Sequence, residues 1–158
     1  MIKYRKFRYP VIALIIVLDQ IVKYLIASSM TPGQSNPVIE GIFHITYVRN
    51  FGAAFSSLQG MRVLLIILPV VMIAAALVLL ETKYKDAHVT LQIALTTVAA
   101  GGIGNLIDRV LRGFVVDMFD FRFWPVFNVA DIAVCTGCGF LILYVVLFDK
   151  DGTKENEI

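Results

Sequence analysis

The sequence predicts an all-α membrane protein of four transmembrane helices, with a small extracytoplasmic β-sheet between helices 1 and 2. Composition is the first observation behind that reading. The 158 residues are 58% hydrophobic and 16% charged, with a mean hydropathy of +0.79, well outside the usage of soluble domains. Length is the second. A crossing needs about 20 apolar residues to span about 30 Å of hydrocarbon, so the chain accommodates four crossings and their loops in one domain, residues 1–158, with no separate soluble unit. Patterning is the third: four apolar runs are separated by polar punctuation, and one short stretch alternates with a period of two. The formal charge of +2 gives no reason to expect nucleic acid. Where the basic residues lie relative to a membrane carries more information.

The first helix is expected over 11–28. Lys3, Arg5, Lys6 and Arg8 precede it in the manner of a secretory signal. Asp19, Gln20 and Lys23 interrupt the apolar run, however, and Ala27–Ser28–Ser29 is a poor cleavage site, so the segment reads as an uncleaved anchor. Asp19 and Lys23 are four apart with the acid first, the favourable order for an ion pair that orients the helix end. Lys23 can also snorkel towards the outer interface. After the turn signal Thr31–Pro32–Gly33, a β-like segment is expected over 37–57. In it Ile39, Phe43, Ile45 and Tyr47 alternate with Glu40, Ile42, His44 and Thr46, the pattern of a small sheet resting on the membrane surface. His44 has no partner pattern, and no metal is assigned to it. Asn50 to Ser56 is a Gly/Ala-rich turn with a polar head, where Gly52 allows close backbone approach.

The second helix is expected over 62–80, with Pro69 tolerable inside a bundle. A charged connection with Lys83 and Lys85 leads to the third helix, 89–111. Gly101, Gly102 and Gly104 lack the Lys-Ser/Thr of a phosphate loop. Ala100 and Gly104 read as a small-xxx-small packing stripe instead. Asn128 is the expected cap of the fourth helix, 129–148. Cys135 and Cys138 lie beside Gly137 and Gly139 and are expected to let helices approach closely rather than to serve redox or metal chemistry. Lys3, Arg5, Lys6, Arg8, Lys83, Lys85, Lys150 and Lys154 share one side, which the positive-inside rule makes cytoplasmic. Both termini are then cytoplasmic, and the β-like segment faces outward. Arg49, Arg62, Arg109, Arg112 and Arg122 fall on that outer side and keep the bias modest.

Acids inside so apolar a chain require an explanation, because an intramembrane charge costs roughly 2.5–3.5 kcal/mol on insertion scales. Asn105, Asp108 and Arg112 share one face at the outer end of the third helix, with Arg109 on a neighbouring face. Asp108 is expected to be neutralised by Arg112 or by a cation from another helix and to organise structure. Asp120 is expected at the surface. Asp117 and Asp131 lie on either side of a turn at Pro125 that can bring them together. Two carboxylates meeting in a low dielectric share a proton, the state an aspartic peptidase needs: the ionised acid activates water, and the protonated one polarises the scissile carbonyl. No Ser–His or Cys–His pair can be assembled on that side. A proton-coupled transporter or exporter could use such acids equally well. An assembly factor, in which the acids would be dispensable, is a third reading.

Together the motifs resemble the lipoprotein signal peptidases (type II, or prolipoprotein, signal peptidases) over nearly the full length. The resemblance rests on Asp19–Gln20 with Lys23, Asn50 with Gly52–Ala53–Ala54–Phe55, Gly104–Asn105 with Asp108–Arg109, Val116–Asp117, and Phe127–Asn128 with Ala130–Asp131. It implies a bacterial cytoplasmic-membrane enzyme that cleaves prolipoprotein signal peptides just before a diacylglyceryl-modified cysteine. Asp117 and Asp131 match the family's catalytic dyad. Asn50, Gly52, Asn105, Arg109 and Asn128, with Asp108, match site-lining or supporting positions, and Asp19 and Lys23 match its first-helix motif. Inhibition by globomycin-type cyclic peptides is implied, no metal or organic cofactor is expected, and membrane lipids are the other partners of an expected monomer. The stretch between Asp117 and Asp131 looks shorter than in many relatives. A boundary position beside a surface able to cradle an extended peptide favours the peptidase over the transporter.

Overall fold

A computed structural model describes residues 5–52, 61–83 and 87–148. The part of the Asn50–Ser56 turn from Ala53 onward lies outside the described residues. A 3₁₀ turn, Arg5–Phe7, leads into α1, Arg8–Ser29. Then follow β1 (Ser35–Ile39), β2 (Phe43–Asn50), α2 (Arg62–Glu81), α3 (Val89–Leu111), β3 (Val115–Asp120) and α4 (Val129–Phe148). All four helices are long and apolar enough to cross a membrane. Their outward faces carry exposed Leu14, Val17 and Ile21 on α1, Val71 and Met72 on α2, and Ile142 and Val146 on α4. Lipid suits such faces, because backbone groups along the length of a helix are paired within it.

The helix α3 is central and packs against α1, α2 and α4. Small residues permit this. Ala94, Ala99 and Ala100 are fully buried, and a Cβ at Gly101 would collide with the carbonyl oxygen of Ala130. At Gly137 it would come within 2.6 Å of both Thr97 Oγ1 and Val98 Cγ2. Cys135 and Cys138, by contrast, are exposed, and a Cβ at Gly139 meets nothing within 4 Å. The small residues that matter on α4 are therefore Ala130 and Gly137, one helical face away from the cysteines, which correct the packing role expected of Cys135 and Cys138.

One end of the bundle is closed by Arg8, which donates to the Leu80 carbonyl at 2.9 Å and to Gln92 Oε1 at 2.9 Å, and pairs with Glu81 at 3.3 Å. At the same end His88 stacks on Phe148, with centroids 4.1 Å apart. The opposite end carries an antiparallel sheet in the order β1-β2-β3. The β1–β2 hairpin turns at Gly41, φ +73°. The third strand is not legible as a strand in the sequence: it follows directly from α3 through Gly113, whose φ of +81° is the left-handed conformation that ends many helices. Tyr47, Val116 and Met118 form the sheet's buried face and pack on Val22, Ile26, Ala27 and Met30 of α1 and its exit.

Candidate active site

The polar residues at the sheet end form one connected network, and Lys23 is at its root. Its ammonium is fully buried and meets three acceptors, one for each N–H: Asp19 Oδ2 at 2.9 Å, Asp108 Oδ2 at 3.1 Å and Asn105 Oδ1 at 2.9 Å. The expected Asp19–Lys23 pair is present. The expected snorkelling of Lys23 is not, because two buried carboxylates from α1 and α3 offer the ammonium more than the interface does. Asp108 has both expected kinds of partner, the cation from another helix and, at 3.7 Å, Arg112.

Each carboxylate of this triad has a second task. Asp19 Oδ1 accepts from the backbone N–H of Ala130 at 2.9 Å, in the first turn of α4, where N–H groups have no intrahelical partner. Asp108 Oδ2 accepts from the N–H of Val116 at 3.1 Å. The triad thus clamps the residue immediately before Asp131 and the residue immediately before Asp117. Gly104 makes the approach possible: a Cβ there would stand 2.7 Å from Asp19 Oδ2. Gln20 adds a bond from α1 to the Gly104 carbonyl at 3.2 Å.

Asn128 joins the two carboxylates. As the cap of α4 it accepts from the Asp131 N–H at 2.9 Å, while Asp131 Oδ2 accepts from the Asn128 N–H at 3.2 Å, a reciprocal capping box. Its amide then donates to Asp117 Oδ1 at 2.6 Å and to Asn105 Oδ1 at 3.1 Å. Asn105 donates in turn to Asp131 Oδ1 at 2.8 Å. Asn50 on β2 donates to Asp117 Oδ2 at 2.9 Å and accepts from the Gly52 N–H at 2.9 Å. Arg109 donates to the Gly52 carbonyl at 3.2 Å. All ten residues singled out in the sequence therefore meet in one network, Gly52 through its backbone. Burial, reinforced by the charge of Asp131 and opposed by the bonds from Asn50 and Asn128, pushes the Asp117 carboxyl up to about 6. Such a carboxyl is half-protonated at about pH 6, far above where an exposed aspartate titrates.

Asp120 is not at the surface as expected. It is buried, accepting from Thr46 Oγ1 at 2.7 Å and from the Arg122 N–H at 2.9 Å, and pairing with the Arg122 guanidinium at 2.8 Å. Burial raises this carboxyl, but the bonds from Thr46 and Arg122 outweigh it and hold the group below its ordinary range. The sequence could not show this, because Thr46 becomes a neighbour only when β2 and β3 pair, with a bulge between Ile45 and Val48. Among the described residues, no group of three or more His, Cys, Asp or Glu is placed to hold a metal ion.

Comparison with known proteins decides what kind of protein carries this site. Residues 11–147 match the family model of signal peptidase (SPase) II. The chain belongs to the signal peptidase II family. Among its curated relatives is the lipoprotein signal peptidase of Halothermothrix orenii, 45% identical over 144 residues that cover 91% of this chain and 98% of that protein. The lipoprotein signal peptidase of Pelotomaculum thermopropionicum is 40% identical over 151 residues, 96% of this chain and 98% of the relative. A solved bacterial membrane enzyme superposes with a TM-score of 0.85 at 33% identity, covering 97% of this chain and 94% of the other. Signal peptidase II membership makes the protein a peptidase, which settles the choice between peptidase, transporter and assembly factor that the acids alone leave open. With four spanning helices it is a multi-pass bacterial membrane protein.

Proposed function

We propose that the chain is an intramembrane aspartic endopeptidase that removes signal peptides from diacylglyceryl-modified prolipoproteins, cutting just before the lipidated cysteine, with Asp117 and Asp131 as the catalytic pair. The observation that carries this reading is the seat of the two carboxylates. One residue, Asn128, bonds to both, and the Lys23 triad clamps the backbone beside each. Such a seat preorganises two acids at a fixed mutual position, which hydrolysis through an activated water requires. One proton is shared by the pair. The ionised member takes a proton from water, whose oxygen attacks the scissile carbonyl carbon, while the protonated member donates to the carbonyl oxygen. Collapse of the tetrahedral intermediate breaks the C–N bond: the amine leaves with a proton from one member, while the other takes a hydroxyl proton as the carboxylic acid forms, which restores the single shared proton.

Asn50, Asn105 and Asn128 hold the carboxylates, and Arg109 holds Gly52 beside them. Asp19, Lys23 and Asp108 act one step further out. The outer edge of β3 is occupied, since the N–H groups of Met118 and Phe119 both donate to the Phe127 carbonyl. An extended substrate therefore lies across the sheet's face beside Asp117 rather than adding a strand to β3. The distribution of basic residues supports a cytoplasmic-membrane location with both termini inside and the site at the extracytoplasmic face. A monomer, contacts with membrane lipids and blockade by globomycin-type peptides complete the proposal.

The test is cleavage of a lipidated prolipoprotein by purified wild-type protein beside folded Asp117→Asn and Asp131→Asn variants, with mass spectrometry of the product's new N-terminus. The expected result is cleavage before the lipidated cysteine by the wild type and loss of turnover in both variants. Wild-type turnover in either variant, or a cut elsewhere, overturns the assignment.

A further inference from the structure

The connection from β3 to α4 displays large rings instead of burying them: Phe123 is 81% exposed and Trp124 58%. Ring contacts tie this knuckle to the hairpin. Phe121 lies 4.8 Å from Phe43 and 6.2 Å from Phe123, centroid to centroid, and Val38, Ile39 and Ile42 at the hairpin tip are exposed as well. The display is actively maintained. Arg122 has φ +64°, the one positive φ outside glycine among the described residues, a left-handed conformation that side chains with a Cβ disfavour. Buried Asp120 holds it there through both the Arg122 N–H and the guanidinium. A buried carboxylate thus stabilises a strained turn whose outcome is two outward rings.

In water a contiguous apolar patch of this kind invites aggregation. At a lipid–water boundary it is the favoured place for amphipathic rings. The packing of the sheet on α1 points to such a boundary for the knuckle. The sheet packs against the side of the last two turns of α1, at Val22, Ile26, Ala27 and Met30, rather than above the helix end. Ile132, in the first turn of the spanning helix α4 that the connection enters, is exposed, as are Val110 and Leu111 at the end of α3 before β3. The half-exposed Arg122 guanidinium beside the rings suits the phosphate of a lipid headgroup.

We propose that Phe123 and Trp124 form an interfacial anchor immersed at the headgroup–acyl boundary of the leaflet on the sheet's side. The anchor requires only that the helices span, and it stands or falls independently of the catalytic assignment of Asp117 and Asp131. Trp124 is the single tryptophan of the chain, so its emission reports on the site in the unmodified, full-length protein. The experiment reconstitutes the protein in phosphatidylcholine vesicles brominated either near the glycerol end of an acyl chain or near its methyl end, and compares quenching with that by aqueous iodide. The expected result is a blue-shifted emission that is mostly lost with shallow bromine, with less loss for deep bromine and for iodide. Quenching by iodide with brominated lipid inert places the ring in water and overturns the anchor. Shielding from both quenchers also overturns it, because the rings are then covered by protein. Lipid quenching that is abolished when a prolipoprotein signal peptide is added makes the knuckle a peptide-docking surface and overturns it as well.

Discussion

Replacing Lys23 by methionine keeps the length of the side chain and removes its charge, leaving two fully buried carboxylates without the ammonium between them. Asp19 then retains the Ala130 N–H and the Gln20 amide, and Asp108 the Val116 N–H and a guanidinium at 3.7 Å. Removing one partner of a buried ion pair typically costs about 3–5 kcal/mol, because the other is left uncompensated. Here one removal strands two acids, so the upper part of that range applies, against a total stability of only about 5–15 kcal/mol. For a chain of this size each kcal/mol shifts the unfolding midpoint by about 2–4 °C, so at about 4–5 kcal/mol a fall of about 8–20 °C is expected. Thermal unfolding in detergent measures it, and a double-mutant cycle locates it: Asp19→Asn combined with Lys23→Met should cost less than the sum of the single changes by at least about 1 kcal/mol. Turnover should fall with stability, since the same carboxylates hold the backbone before Asp117 and Asp131. A Lys23→Met protein melting within about 3 °C of wild type, or an additive cycle, refutes the argument.

Asp117 gives stability a pH dependence of definite sign. Its carboxyl rises from 3.8 to about 6 on folding, so its contribution is fully present below about pH 4 and is lost as pH rises through about 6, a total of about 3 kcal/mol at 1.36 kcal/mol per unit. Denaturant unfolding at pH 5 and pH 8 should show about half of that loss, about 1.4 kcal/mol, in wild type and less in Asp117→Asn. Asn128→Ser keeps an oxygen to cap α4 but is too short to reach Asp117, so turnover should drop about 10- to 100-fold, the worth of a hydrogen bond to a charged group, as measured by kcat on a lipidated substrate. Gly137→Ala should destabilise by about 1–3 kcal/mol through its collisions with Thr97, Val98 and the Ala94 carbonyl. Gly139→Ala, with open space around it, should be neutral or gain up to about 1 kcal/mol; paired melting curves distinguish the two.

Part of the site was legible because acids stand out against so apolar a background. Asp108, Asp117, Asp120 and Asp131 could be selected on cost alone, whereas Asn50, Gly52, Asn105, Arg109 and Asn128 were assigned to the site only through the family resemblance. Local chemistry was legible too: the i,i+4 order of Asp19 and Lys23 and the cap at Asn128 depend on residues a turn apart, and both are present. What failed depended on distant neighbours. Lys23 reads as an interfacial residue until Asp108 and Asn105 of α3 are placed beside it. Asp120 reads as a surface acid until β2 brings up Thr46. The cysteines read as packing residues because periodicity places small residues on a helix without saying which face α3 will occupy.

The sequence by itself therefore determined that the chain spans a membrane four times, that it carries a strand-forming segment and a cluster of acids at one end, and which family's motifs it bears. These follow from composition, length and spacing, which are properties of the chain taken locally. Only the tertiary structure decided that Val115–Asp120 completes the sheet, that one ammonium satisfies three acceptors, and that Asn128 bonds to both Asp117 and Asp131. Those outcomes arise from contacts between residues far apart in the chain, and their geometry is fixed by helix and strand packing that no local pattern encodes.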